Sequence, residues 1–215
     1  MPQPQELPID INPISNPTPS QTAQFVPSPQ TAMVNDLIFW RNNDTRAAHQ
    51  PMPVGGAKDA WVKTPIAAKL SDQDAPLGGG TASSNTVSFG SGTTQQGTPY
   101  TCALHANERG TLVVKNNINI NSIPGAKTGD PQVAQAAFAP PKPTFQVNEL
   151  FIWSNNDVVA HWPAPSLSQK TAWLTQEIKA GQTSPAISIK QATGANGQSY
   201  ICAIHPNETG TIVVK

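Results

Sequence analysis

Two stretches of this sequence, YTCALHANERGTLVVK and YICAIHPNETGTIVVK, carry a cysteine, a histidine and a glutamate at the same offsets. The residues are Cys102, His105 and Glu108 in the first and Cys202, His205 and Glu208 in the second. One further histidine precedes each stretch, His49 in TRAAHQP and His161 in VVAHWP, so the 4 histidines and 2 cysteines of the chain all fall within the repeated pattern. A thiolate with two imidazoles is the trigonal donor set of copper electron-transfer centres, and with a carboxylate added the same donors suit tetrahedral zinc. Taken singly, a cysteine is more often a small buried hydrophobe and a histidine a surface or core side chain. A chain so sparing in both residue types has nevertheless placed every one at metal-compatible spacing twice over, which favours a metal. A disulfide between Cys102 and Cys202 is the competing use of the thiols, and it leaves four aligned histidines without a role.

Extended chain would spread a cysteine and a histidine three residues apart over about 10 Å, so each Cys-x-x-His pair requires a tight turn, and the upstream histidine has to arrive from a neighbouring strand. The repeat supplies such strands. FVPSPQTAMVNDLIFWRNND aligns with FAPPKPTFQVNELFIWSNND, pairing Phe25 with Phe138, Trp40 with Trp153 and Asp44 with Asp157, with one residue gained or lost before the histidine. DLIFW and ELFIW, NTVSF and PAISIK, TLVVK and TIVVK are short, β-branched or aromatic, and bounded by turn formers. Their pattern predicts two β-sandwich domains with Greek-key connections, in which Trp40 and Trp153 lie on an inward strand face and Phe39 and Ile152 on the opposite one. TAWLTQEIKAG is a candidate for one short helix, and the APLGGGTASSN segment, which lengthens the first copy, reads as a surface loop. The predicted boundaries are an extended Pro/Gln-rich tail over 1–22, a first domain over 23–115, a linker over 116–136 in which NINI could add a short edge strand, and a second domain over 137–215.

The composition excludes several roles. Formal net charge is zero and only 12% of the 215 residues are charged, with the basic ones scattered, which argues against a nucleic-acid partner. No apolar run approaches the roughly 20 residues that span a bilayer, and the opening MPQPQELPIDINP has neither the basic nor the apolar region of a signal peptide. That opening is also compatible with the mature form of an exported protein.

YICAIHPNETGTIVVK resembles the copper loop and last strand of the cupredoxins, most closely the short loop of the amicyanins, and FIWSNNDVVAH is similar to the family's Trp-bearing strand, Asn-rich turn and first copper histidine. The resemblance implies an all-β fold of two tandem cupredoxin-like Greek-key β-sandwich domains with one copper each, held by His49, Cys102 and His105 in the first and by His161, Cys202 and His205 in the second. It also implies one-electron transfer with a redox partner protein in the periplasm or outside the cell. Two positions depart from the family. Glu108 and Glu208 stand where its methionine ligand is found, and Gln50 and Trp162 follow the first histidines where the family commonly has an asparagine that ties the ligand loops together. If the glutamates bind, the sites resemble the red copper centre of the nitrosocyanins, and a redox enzyme with an open site becomes an alternative to an electron carrier; the other reading of each glutamate is a side chain pointing to water. Copper storage or delivery would use the same donors. Multicopper oxidase or nitrite reductase chemistry requires additional histidine ligands, and no His-x-His pair is present to supply them.

Overall fold

The computed structural model describes residues 3–56, 61–70, 81–126, 134–165 and 173–215, and among them no helix occurs. Two compact units divide the chain, Pro2–Val114 and Lys115–Lys215. Both are two-sheet β-sandwiches, as the strand signals predict.

In the first unit β1 (Glu6–Thr18), β2 (Gln21–Val26), β4 (Leu37–Asn42) and β6 (Ala82–Ser83) form one sheet in the order β2-β1-β4-β6. The facing sheet consists of β3 (Gln30–Met33), β5 (Pro51–Pro53), β7 (Thr98–Cys102) and the leading half of β8 (Arg109–Ser122). Strand β1 corrects the expectation of a tail over 1–22. Its prolines are tolerated because few of its residues are bonded on both sides. It pairs with β4 over Glu6–Ile11 and with β2 over Asp10–Pro13, so only Asp10 and Ile11 face partners on both edges, while Pro8 and Pro13 each face one. The alternation of Leu7, Ile9 and Ile11 was the strand signal, and Ile9 and Ile11 are fully buried.

The expected linker begins with a second such strand. Past Val114, β8 continues as NNININS, running parallel to β11 (Phe151–Asn155) and antiparallel to β9 (Ala136–Ala139). NINI is therefore an inner strand and not an edge, and Ile118 and Ile120 occupy the core positions that Ile9 and Ile11 hold in the first unit. The second sheet of this unit runs β10 (Thr144–Phe145), β14 (Thr209–Val214), β13 (Gln198–Cys202), β12 (Pro163–Ala164).

Trp40 and Trp153 are fully buried, as predicted for an inward face. The alternation is clean in β4, where Phe39 is half-buried, but not in β11, where Phe151 and Ile152 are buried as well. NTVSF and PAISIK make only isolated bridges, Val87 with Ile38 and Ile187 with Phe151. The helix expected in TAWLTQEIKAG does not form over its described residues, 173–181. Leu174 and Ile178 instead enter the core, and Ile178 bridges His161 just as Ile66 bridges His49. Most of the Gly-rich segment of the first copy lies outside the described residues; its last residues include the short β6.

Candidate metal centres

The turn between β7 and β8 is closed by two backbone bonds, from the Cys102 amide to the Glu108 carbonyl (3.1 Å) and from the Glu108 amide to the His105 carbonyl (3.1 Å). The turn after β13 repeats them from Cys202 to Glu208 (2.9 Å) and from Glu208 to His205 (3.0 Å). This fold-back is the tight turn that the Cys-x-x-His spacing demands. Two residues beyond each glutamate a glycine is required, because a Cβ on Gly110 would lie 2.2 Å from Cζ of Tyr100, and one on Gly210 would lie 2.4 Å from Cζ of Tyr200.

The upstream histidines come from loops held by a buried asparagine. Asn42 Nδ2 donates to the carbonyls of Ala47, Ile66 and Ala67, and Asn155 Nδ2 to those of Val159 and Ile178. Both asparagine Oδ1 atoms accept the amide of the following aspartate, Asp44 or Asp157. The Asn-rich turn is thus the clamp that aims each histidine.

The structure brings together all eight residues singled out by sequence, in two sets of four whose nearest donor atoms lie within 4.8 Å of one another. In the first set Cys102 Sγ is 3.9 Å from His49 Nδ1 and 3.5 Å from His105 Nδ1, and Glu108 Oε2 is 2.8 Å from His49 Nδ1. In the second the corresponding distances are 3.7, 3.6 and 2.8 Å. Donors tetrahedral about one ion at about 2.0 and 2.3 Å would sit about 3.5 Å apart, so the residues fit a single bound metal. Both cysteines are free, which removes the disulfide alternative.

The glutamates do not point to water. Glu108 is 1% and Glu208 2% exposed. Oε1 of Glu108 accepts the amides of Thr22 and Ala23, both at 2.9 Å, and Oε1 of Glu208 accepts those of Gln135 (3.0 Å) and Ala136 (2.9 Å). With Oε1 fixed by two backbone donors, Oε2 is aimed at the upstream imidazole, His49 or His161. Burial would raise the Glu108 and Glu208 carboxyls, but the histidine facing each one and those amides prevail and hold both below the ordinary carboxylate range. Burial would likewise depress the upstream imidazoles, yet the cysteine and glutamate beside them raise His49 to about 9 and His161 to about 10. Each cluster therefore holds a proton where a divalent cation would take its place.

Where the asparagine after the first histidine is missing, backbone atoms link the ligand loops. The Gln50 and Trp162 amides each donate to the cysteine Sγ at 3.3 Å, and their carbonyls accept the amides of Ala103 and Ala203 at 2.8 Å.

Two features escaped the sequence reading. Asp44 and Asp157, aligned only as repeat markers, have a carboxylate oxygen 3.5 Å from His49 Nε2 and 3.0 Å from His161 Nε2, behind each imidazole. Trp61 and Trp173 each follow the upstream histidine by twelve residues, in WVKTPI and WLTQEI, and stack on Trp40 (5.9 Å) and Trp153 (5.6 Å). Their constant offset was the available signal.

No family model matches this chain, and neither does any curated protein. Among solved structures, a purple cupredoxin from Nitrosopumilus maritimus is 18% identical over 46% of this chain and 98% of its own, with a TM-score of 0.36. Amicyanin from Paracoccus versutus is 19% identical over 45% of this chain and 91% of its own, with a TM-score of 0.31. No helix among the described residues is long and apolar enough to cross a membrane. Each half of this chain is a two-sheet β-sandwich enclosing a buried cluster of two histidines, a cysteine and a glutamate.

Proposed function

We propose that the chain is a copper-binding electron-transfer protein, a tandem of two cupredoxin-like domains with one mononuclear centre in each. His49, Cys102, His105 and Glu108 would hold the first ion, and His161, Cys202, His205 and Glu208 the second. The observation that carries this reading is the four-donor cluster formed twice, with each cysteine and glutamate held by backbone amides and each upstream histidine backed by a buried aspartate. Copper, when bound, supplies a one-electron couple; a site whose ligands are already in place needs little reorganisation between oxidation states. His105 and His205, with side chains 12% and 8% exposed, are the ligands nearest solvent and the natural contact for a redox partner protein. That partner and a periplasmic or extracellular setting come from the cupredoxin likeness.

The buried carboxylates favour a red-type spectrum over a blue one, because an anionic oxygen donor weakens the overlap between thiolate and metal. They disfavour a redox enzyme with an open site, since each fills a fourth corner of its donor set. Metal analysis with an absorption spectrum of the oxidised protein tests the proposal. Two coppers per chain and a thiolate-to-copper charge-transfer band are expected. Zinc in both sites, or copper without that band, would overturn it.

A further inference from the structure

The carboxylate behind each upstream histidine has a different partner in the two halves. Asp157 Oδ2 accepts a hydrogen bond from His161 Nε2 at 3.0 Å, and its Oδ1 accepts the Ser122 hydroxyl and the Val158 amide. Asp44 Oδ1 instead takes the amide of Arg46 at 2.9 Å and its guanidinium Nε at 3.1 Å, while Oδ2 stands 3.5 Å from His49 Nε2, beyond hydrogen-bond range. Both carboxylates are buried, with side chains 0% and 4% exposed.

Three sequence differences produce this contrast. Registers Ile11↔Phe25 and Ile120↔Phe138 place Pro13 where the second half has Ser122, and proline has no hydroxyl to offer. Arg46 stands two residues after Asp44, where Val159 follows Asp157. Aspartate and histidine are five residues apart in the first half and four in the second, which is the gap found when the repeats are aligned.

We propose that Asp44 and Asp157 are positioning residues for His49 and His161, and that their different partners make the two centres redox-inequivalent, with the centre of the first half the stronger electron acceptor. The inference rests on the copper reading. An anionic acceptor on the far nitrogen makes an imidazole a stronger donor and stabilises the higher oxidation state of the metal it holds. Asp157 acts on His161 in this way without a compensating cation. The Arg46 guanidinium offsets the charge of Asp44, and the longer contact to His49 transmits less of it. Arg46 and the longer loop act in the same direction, and the Ser122 hydroxyl orients Asp157 by holding its other oxygen. Arg46 is 43% exposed, so solvent screening limits its share.

The test uses Cys102→Ser and Cys202→Ser proteins, each keeping one intact centre, loaded with copper and titrated reductively at the thiolate charge-transfer band. The Cys202→Ser protein, which retains the first centre, is expected to be reduced at the higher potential. A tenfold preference for the electron would appear as about 59 mV for a one-electron couple. Arg46→Val in the Cys202→Ser background should lower the potential, and Asp157→Asn in the Cys102→Ser background should raise it, with copper stoichiometry unchanged in both. Bands present with equal potentials, or a gap that neither substitution narrows, would overturn this inference alone. No thiolate band in either protein would overturn the copper reading and this inference with it.

Discussion

The Cys-to-Glu turns of the two halves share the same backbone bonds, whereas the segments that deliver His49 and His161 differ in length. The turns have no freedom to differ. Two backbone bonds, two amides on the glutamate and one amide on the sulfur fix every donor, and any insertion would break several at once. The histidine loops absorb a one-residue change because a side chain clamps them. Asn42 reaches three carbonyls and Asn155 two, and in both halves the histidine then pairs with an isoleucine seventeen residues on. Ligand placement therefore depends on local bonds at the turn and on one buried amide at the loop.

The largest expected effects lie in the cores, where the halves should behave alike. Trp40→Ala and Trp153→Ala should each cost about 3–5 kcal/mol in denaturant unfolding, since both indoles are fully buried against a second Trp and a Tyr. A loss near zero at one position would show that the two cores are not equivalent. The clamps come next. Asn42→Ala removes three hydrogen bonds to loop carbonyls and Asn155→Ala two, at about 0.5–1.5 kcal/mol each, while the Ile66 and Ile178 carbonyls keep the amides of His49 and His161. The loss should be greater for Asn42, and each change should weaken metal binding only in its own half. Equal losses, or weakening in both halves, would break the comparison.

The reach of the sequence follows from the same contrast. All eight cluster residues were legible because their types are rare in this chain and their offsets repeat. NINI was legible only as a short edge strand and the strand over 6–18 not at all, because asparagine and proline mask an alternation carried by Ile118 and Ile120 in the one and by Leu7, Ile9 and Ile11 in the other. Pro8 and Pro13 are permitted by one-sided pairing, a fact of register that no local pattern reveals. Asp44 and Asp157 were visible as aligned residues, but their approach to the histidine Nε2 depends on a loop closure set by residues distant in sequence. The expected helix does not form over the described residues 173–181 because Leu174 and Ile178 pack into the sandwich core instead of lining a helical face.

Metal-free protein should separate the halves by pH. The His49 and His161 imidazoles are raised in the fold above the ordinary value near 6.5, so their contribution to stability is complete below that pH and is lost as pH climbs through about 9 for His49 and about 10 for His161. The Glu108 and Glu208 carboxyls are lowered, so theirs is complete above about 4.3 and lost as pH falls through the depressed folded values. Apo-protein stability from these pairs should therefore be greatest between about pH 4.3 and 6.5 and decline toward pH 10, with the second half holding out longer. Thermal melts across this range measure it, and a profile flat from pH 6.5 to 10 would mean that the imidazoles carry no extra proton.

The smallest effect is expected at Gln50, and it sharpens the claim that backbone, not side chain, ties the ligand loops together. Gln50→Ala removes one hydrogen bond, from Nε2 to the Val62 carbonyl at 3.0 Å, and should cost about 0.5–1.5 kcal/mol. The alanine amide can still donate to Cys102 Sγ, and its carbonyl can still accept from Ala103, so the charge-transfer band of the copper-loaded protein should not move. Gln50→Pro reverses the test, because proline keeps the carbonyl but has no N–H for the sulfur. Losing that donor leaves the thiolate more electron-rich, which should displace the band of the first centre while that of the second stays fixed. A band that moved as far with alanine as with proline would assign the tie to the glutamine side chain, which both changes remove.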